Sequence, residues 1–367
     1  MLRIQEYTIS DLKQCLRPGH WFQDEPGPIT KHRALSHVNN PRAEAGDVAL
    51  LVAYDGDAVV AHLGILPDLV FCNQSAHKIG WLTAWWANPA RNYAGIGLML
   101  LSRAFTLYKG RLGASGFSEA ARKVYDATKK FVTLGEQEGV DGFARLNLYR
   151  LLYRRLPQLA RFRTTLGVLD AIGNQYINLR QWWWRKEHAL PQGLRFEYLP
   201  EMDTEADDFI QQHSSLTLAR RGAKELNWIA KYPWVLNTPL APPSSFHFSS
   251  LVESYSVFNM KIYDAEEKLA AVLMVTLIDG HVIVPHYFQR GRSGLIALVL
   301  SHFLIAQRAE RLTLYHRDLV EQLLALRFPW LWLRKRQRTW IWSREFVGEG
   351  VSSYAMQDGD GDCAFTT

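Results

Sequence analysis

Residues 85–104 read WWANPARNYAGIGLMLLSRA. An aromatic, strand-like run meets Pro89, then a basic and polar step, then Gly95-Ile96-Gly97, then an apolar run. Two glycines one residue apart, where a strand turns into a helix, have two readings. One is a turn that caps a helix. The other is a phosphate cradle: glycine lets the backbone approach an anion closely, and the helix N-terminus adds aligned N–H groups and a favourable dipole. The glycines alone do not choose between these readings.

The surroundings narrow the choice. Upstream, residues 48–71 read as a hairpin: strand-like ALLVAY, a DGD turn, then strand-like AVVAHLGIL. HKIGWLTAWWA is a third strand-like run. GIGLMLLSRAFTLY has helical spacing, with Leu98, Leu101, Phe105 and Tyr108 three or four residues apart. RLGASGF gives a short strand and turn. SEAARKVYDATKKF then starts with Ser118 in N-cap position and continues with helix formers. The order β-β-β-α-β-α predicts an α/β fold with a mixed sheet flanked by helices.

With Pro89 followed by Asn92-Tyr93-Ala94-Gly95-Ile96-Gly97, the chain resembles the GCN5-related N-acetyltransferase (GNAT) superfamily. Its signature is a strand, a proline and Q/R-x-x-G-x-G/A opening a helix. Asn92 stands where that signature has Gln or Arg, and Arg91 lies one residue early. The resemblance implies that residues 92–97 bind the pyrophosphate of coenzyme A. It also implies that backbone near Trp85 and Ala87 pairs with the pantetheine arm. A second family pattern, N-x-x-A-x-x-x-Y, is matched by Ser118, Ala121 and Tyr125, with Ser in place of Asn. By resemblance, Ser118 belongs to the cofactor site and Tyr125 protonates the departing thiolate. The plain alternative makes Tyr125 an ordinary amphipathic-helix residue. The family often places a Glu on the strand before the proline, yet IGWLTAWWA has no carboxylate or histidine. His62 and Asp68 on the neighbouring strand are therefore the candidate bases, although His62 on a strand also suits a structural role. A neutral incoming amine needs no strong base. These patterns cover roughly residues 45–135.

The second half echoes the first without sequence identity. DTEADDFIQQHSS reads as a helix, VFNMKIYD, LAAVLMVTLI and HVIVPHYF as strands, GLIALVLSHFLIAQRA as a helix and RLTLYH as a strand. This predicts two tandem GNAT-like domains, residues 1–185 and 186–367, with TWIWSREF and DGDGDCAFTT finishing the second copy. The second copy has Gly291 and Gly294 but no G-x-G. Coenzyme A is therefore not expected there, and the half is read as shaping the acceptor pocket. Arg290 and Arg292 could hold an anion or be solvated, and His281 and His286 could face a cleft.

Composition sets the outer limits. The chain has 367 residues, 48% hydrophobic and 21% charged, with a net charge of +6. Cys15, Cys72 and Cys363 are far apart, which suits a reducing cytoplasm and no metal site. No apolar run reaches the roughly 18 residues of a spanning helix. The three tryptophans of QWWWRKEH suggest packing between the halves or a stacking platform. YRLLYRRLPQLARFR reads as a basic amphipathic helix broken by Pro157, on a membrane surface or beside the cofactor. DGDGD lacks the flanking helices of a calcium loop and reads as a turn. No GxSxG marks a hydrolase. The resemblance implies an N-acyltransferase using acetyl-CoA as co-substrate, with no metal, acting on a small-molecule amine, an amino sugar or cell-surface precursor being the first guess. Nucleic acid and stable membrane insertion are not expected, and the oligomeric state is left open. The competing classes are a Fem-type aminoacyl-tRNA-dependent transferase and a non-catalytic binding protein with a relic fold.

Overall fold

A computed structural model describes residues 2–22, 27–72, 75–90, 95–153, 157–237, 250–347, 351, 354–363 and 365. The chain forms two compact units, one from residues 1–137, 201–253 and 338–367, the other from 138–200 and 254–337.

The first unit opens with β1 (Leu2–Thr8), α1 (Ile9–Cys15), α2 (Lys31–Val38), β2 (Val48–Asp55), β3 (Ala58–Cys72) and β4 (Ser75–Ala87). α3 (Ile96–Leu107), β5 (Leu112–Ser115) and α4 (Glu119–Thr128) follow. The Gly56-Asp57 turn joins β2 to β3, with Gly56 at φ 60°, a conformation that glycine adopts without a Cβ penalty. β6 (Phe131–Phe143) then leaves the first unit and enters the second. There it is followed by α5 (Leu148–Tyr153), a 3-10 turn, α6 (Arg163–Glu187) and β7 (Arg195–Leu199). The chain returns to the first unit for α7 (Thr204–His213), α8 (Ala223–Lys231), β8 (Val235–Asn237) and β9 (Ser250–Val252). β10 (Tyr255–Tyr263), β11 (Leu269–Ile278), β12 (His281–Gln289), α9 (Ser293–Ala306), β13 (Arg311–Leu314) and α10 (Arg317–Ala325) belong to the second unit. β14 (Trp332–Ser343) starts there and ends in the first, ahead of α11 (Arg344–Val347).

Both units use one plan. In the first, β1-β2-β3-β4 are antiparallel neighbours, β4 and β5 are parallel, and β5 pairs antiparallel with β14 through Gly113↔Trp342 and Ser115↔Trp340. In the second, β7-β10-β11-β12 are antiparallel, β12 and β13 are parallel, and β13 pairs antiparallel with β6 through Leu314↔Val140 and Arg311↔Phe143. Each sheet is thus completed by a strand from the other half of the sequence.

This corrects the expectation that TWIWSREF and DGDGDCAFTT finish the second copy. Residues 340–342 pair with β5, and both stretches lie in the first unit. The single cut expected at 185/186 falls inside the second compact unit. The physical reason is that strand pairing is non-local: TWIW alternates well enough to join either sheet, and its sequence does not say which.

The first sheet is covered on both faces, which is why β2 and β3 are nearly continuously buried. Leu51, Leu63, Ile65, Leu82 and Leu112 meet Leu100, Leu101 and Ala104 of α3 and Tyr125 of α4. Leu50, Val52 and Tyr54 meet Leu12 of α1 and Ala34 of α2. Gly80 is small because β3 and Tyr108 crowd it: a Cβ there would lie 2.6 Å from Ile65 Cγ2. The second unit has its own core, where Leu273, Val275, Val282 and Val284 pack against Leu300 and Phe303 of α9. No described helix is long and apolar enough to cross a membrane.

Candidate functional site

The parallel ladder between β4 and β5 has two rungs, Gly80↔Leu112 and Trp81↔Gly113. Past Trp81 the strands part, while β4 runs on to Ala87. On its other edge β4 bulges against β3: the register shifts between His62↔Trp86 and Gly64↔Thr83, and Ala84 sits at φ 48°. His62 braces this bulge. Its Nδ1–H donates to the Ala84 carbonyl at 3.0 Å and its ring stacks on Trp86. The parted strands leave a wedge edged by β4 backbone from Leu82 to Ala87, where the sequence places Trp85 and Ala87.

The α3 side of the wedge has the expected helix start. Gly95 caps α3 at φ 85°, and nothing lies within 4 Å of where its Cβ would be. Gly97 is packed: a Cβ there would lie 3.0 Å from the Trp85 ring. Ile96 is buried in the core. Arg91, Asn92, Tyr93 and Ala94 lie outside the described residues. Ser118 is the N-cap of α4, its hydroxyl accepting from Ala121 N–H at 3.2 Å. Tyr125, one helical turn past Ala121, is buried against Trp85, Phe117 and Phe131. Trp85 therefore touches both the glycine start of α3 and the tyrosine of α4. Burial first, and then the charge of Asp362, raises the Tyr125 pKa well above the usual phenol value, so this O–H stays protonated.

On the opposite face of the sheet lies a carboxylate missed by the sequence reading. Thr83 and Ser115 stand one alternation beyond the last rung, Trp81↔Gly113, on β4 and β5 respectively. Asp362 bridges them: Ser115 Oγ donates to Asp362 Oδ1 at 3.1 Å, and Thr83 donates to the same carboxylate. Arg33 of α2, buried and stacked 4.2 Å over the Trp234 ring, donates to Thr83 Oγ1 at 3.2 Å. Desolvation raises the Asp362 pKa, against the two hydroxyl hydrogen bonds and the Arg33 charge, which lower it. The DGDGD stretch is a turn as expected, yet it delivers this carboxylate to the point where β4 and β5 separate.

Asp68 takes a different part from the one the sequence suggests. It is buried between Arg42 and Arg221, at 3.0 and 2.8 Å, and accepts from Leu69 N–H and Trp81 Nε1–H. Despite desolvation, the two guanidiniums and these hydrogen bonds hold its pKa below the usual carboxylate value. A carboxylate with its lone pairs so engaged has no capacity left to take a substrate proton. Instead it anchors Arg221, whose guanidinium donates to the carbonyls of Gly359 and Gly361 at 2.6 and 3.1 Å. The chain Asp68–Arg221–Gly361 therefore fixes the loop that carries Asp362. Gly361 must be glycine on two counts, a φ of 69° and a Trp81 ring that a Cβ would meet at 2.9 Å.

Beside this point, Leu134, Glu136, Trp340, Tyr354 and Met356 line a cavity of about 270 Å³. Trp340 both lines it and pairs across the ladder with Ser115.

In the second unit the parallel strands also part, after Ile283↔Thr313. Arg290 and Arg292 are paired with Asp264. His281 is bonded to Thr313 and His286 is buried within β12. Among the described residues no group of His, Cys, Asp and Glu side chains is arranged to hold a metal.

Neither a protein-family model nor a curated protein matches the chain. Solved structures do. A protein from Enterococcus faecalis V583, described as a "Probable N-Acyltransferase", aligns over 93% of this chain and 72% of its own, at 9% identity and a TM-score of 0.51. A GCN5-related N-acetyltransferase from Anabaena variabilis aligns over 93% and 72%, at 12% identity and a TM-score of 0.49. A tandem GNAT protein from the clavulanic acid biosynthesis pathway aligns over 93% and 98%, at 14% identity and a TM-score of 0.45. At such identities the likeness is one of fold. The chain shares its fold with the Enterococcus faecalis protein, and in it β4 and β5 part beside a glycine-started α3.

Proposed function

We propose that the first unit is an acyl-CoA-dependent N-acyltransferase, with acetyl-CoA as co-substrate and a small amine as acceptor. The observation that carries this reading is the convergence at one opening between strands. Gly95 and the α3 N-terminus lie on one side, Tyr125 borders it through Trp85, and Asp362 stands at its apex. The open backbone at Gly95 suits a pyrophosphate, and the bare edge of β4 suits an amide-containing pantetheine arm.

The chemistry needs two proton movements. The amine nitrogen attacks the thioester carbonyl, the C–N bond forms, and the tetrahedral oxyanion collapses with loss of the C–S bond. Asp362, whose raised pKa brings it toward neutrality, takes the ammonium or amine proton. Tyr125, kept as a neutral O–H, donates to the departing thiolate. Backbone N–H groups of β4 beyond Trp81 serve the oxyanion. The cavity under Trp340 is the acceptor pocket in this reading. Its Leu134, Trp340 and Met356 suit an apolar body, and Glu136 suits a cationic amine.

A thermal-shift titration tests the proposal. Ligand at about 100 times its Kd should add about 2.7 kcal/mol to stability. Acetyl-CoA and CoA are expected to raise Tm in the wild type. No shift with either at millimolar concentration overturns the assignment and favours the non-catalytic alternative.

A further inference from the structure

We propose that α6 is a peripheral docking surface for an anionic lipid bilayer. Its inner face is fixed in the second unit by Ile177, Gln181 and Trp184, and Trp184 Nε1–H donates to the Leu326 carbonyl. Its outer face is apolar and uncovered. Val168 and Leu169 are adjacent, and Leu169, Ile172, Tyr176, Leu179 and Trp183 follow one another at three- and four-residue steps. They form a single stripe about 100° wide. Each is at least half exposed, Ile172 and Tyr176 at 65% and 64%. A run of six large exposed apolar side chains on one helix is not ordinary surface.

The charges name the occupant. Between residues 145 and 187 the chain carries nine Lys and Arg against two Asp and Glu. Of the two acids, Asp170 is turned inward and accepts from Leu148 N–H. Cations lean on exposed aromatics in and beside the stripe: Arg180 on its Tyr176 at 6.0 Å, Arg161 on Phe162 at 4.9 Å and Lys186 on Trp182 at 5.5 Å. Long basic side chains lying along apolar surface with their heads outward are built for a headgroup layer over hydrocarbon. A second copy would bring two equally basic arms together, which like-charge repulsion opposes. RNA would find aliphatic Val168, Leu169, Ile172 and Leu179 where base stacking needs planar groups. Anionic lipid satisfies both the aliphatic stripe and the cationic rim.

The test is co-sedimentation of the full chain with vesicles of phosphatidylcholine alone, or with about 30% phosphatidylglycerol to set a negative surface potential. Binding is expected with the anionic vesicles and should weaken as salt approaches about 0.5 M, where screening shortens to a few ångström. Ile172→Glu with Leu179→Glu is expected to cut binding about tenfold or more without lowering Tm, since both side chains are exposed. Should that pair lower Tm, Lys186→Glu is the second variant, expected to cut binding several-fold at low salt. The proposal is overturned if the wild type ignores anionic vesicles, binds neutral ones equally, or binds unchanged in the variants. It is overturned too if light scattering shows a dimer that the double variant dissolves, or if single-stranded RNA binds and displaces the vesicles. None of these readouts depends on acyl transfer.

Discussion

At the scale of single residues, the proposed site rests on two groups given opposite duties. Asp362 is partly desolvated, carries hydrogen bonds from Thr83 and Ser115, and has a raised pKa. Asp362→Asn keeps the shape and removes the proposed base. It is expected to lower kcat by about 10²- to 10⁴-fold and to abolish the rising limb of the pH–rate profile, while the acetyl-CoA thermal shift persists. An unchanged pH profile would show that another group takes the proton. Tyr125→Phe should lower kcat at unchanged profile on the acid side and leave cofactor binding intact. The sequence exposes Tyr125 because Ser118, Ala121 and Tyr125 lie on one local helix at a recognisable spacing. It hides Asp362 because that residue lies 247 positions from the Ser115 it bonds. The only sequence hint is negative: β4 has no carboxylate, and DGDGD reads locally as a plain turn. Asp68 looks suitable for the opposite reason. Its strand position is right, but its two arginine partners, Arg42 and Arg221, are distant in sequence and invisible to a local reading.

At the scale of elements, the starts of α3 and α4 are legible to within a residue because caps and apolar periodicity are local signals, whereas the helix read from Ser118 runs to Phe131 and α4 ends at Thr128. Ser118 and Gly95 do cap them. The start of α3 yields a sharper prediction. Gly95 holds φ 85° over open space, so a larger side chain meets no clash, only an unfavourable backbone. Gly95→Val should therefore cost about 1–2 kcal/mol of stability. Its greater effect should fall on the ligand, because Cβ and its methyls would stand where the proposed function brings the pyrophosphate. Titration calorimetry is expected to show CoA affinity reduced more than tenfold, with the fold retained. Equal affinity would place the pyrophosphate elsewhere. The three tryptophans show how the element decides what a residue does. In a strand they would alternate between faces. In α6 they fan around a helix, Trp184 buried against His188 and Phe328, Trp182 and Trp183 outside. Three adjacent tryptophans point in three directions around the helix, which blurs the local periodicity of this stretch in the sequence.

The acidic loop links these elements to pH. Asp360 is 1% exposed, and burial drives its pKa up to about 6 against the lowering influence of Arg221. Its folded pKa thus lies above the unfolded value of 3.8. Between these values the folded state holds the proton longer. The stability gained from the protonated acid is full below about pH 4 and is lost as pH rises through 6. Asp360→Asn mimics the protonated form. The stability of the variant, read from Tm or denaturant unfolding, should match the wild type near pH 4 and exceed it at pH 8, by an amount on the order of 3 kcal/mol at most. A variant less stable at pH 8 would show that the charge is needed to hold Arg221 and its loop.

At the scale of the whole molecule, the fold class was readable but the way the chain is shared was not. Each half of the sequence encodes a nearly complete sheet, yet each sheet takes its final strand from the other half. Composition and periodicity describe strands; they do not name partners. The exchange makes a prediction about autonomy. A fragment ending at residue 185 contains β1 to β5 and both glycine and tyrosine motifs, but lacks β14 and the loop with Asp362. It also lacks Arg221, leaving Asp68 buried with one arginine instead of two. Trp81, fully buried against Trp340, Trp342 and Gly361, would lose all three contacts. Its sheet edge at β5 would be open for non-native pairing. Expressed alone, this fragment should be insoluble or molten, with weak near-ultraviolet circular dichroism and no thermal shift from acetyl-CoA. Co-expression with residues 186–367 should restore both signals, because that piece supplies the strand, the loop and the base together. A fragment that folds and binds acetyl-CoA by itself would show that the exchanged strand is dispensable. It would also confine the site to the local segments around Gly95 and Tyr125.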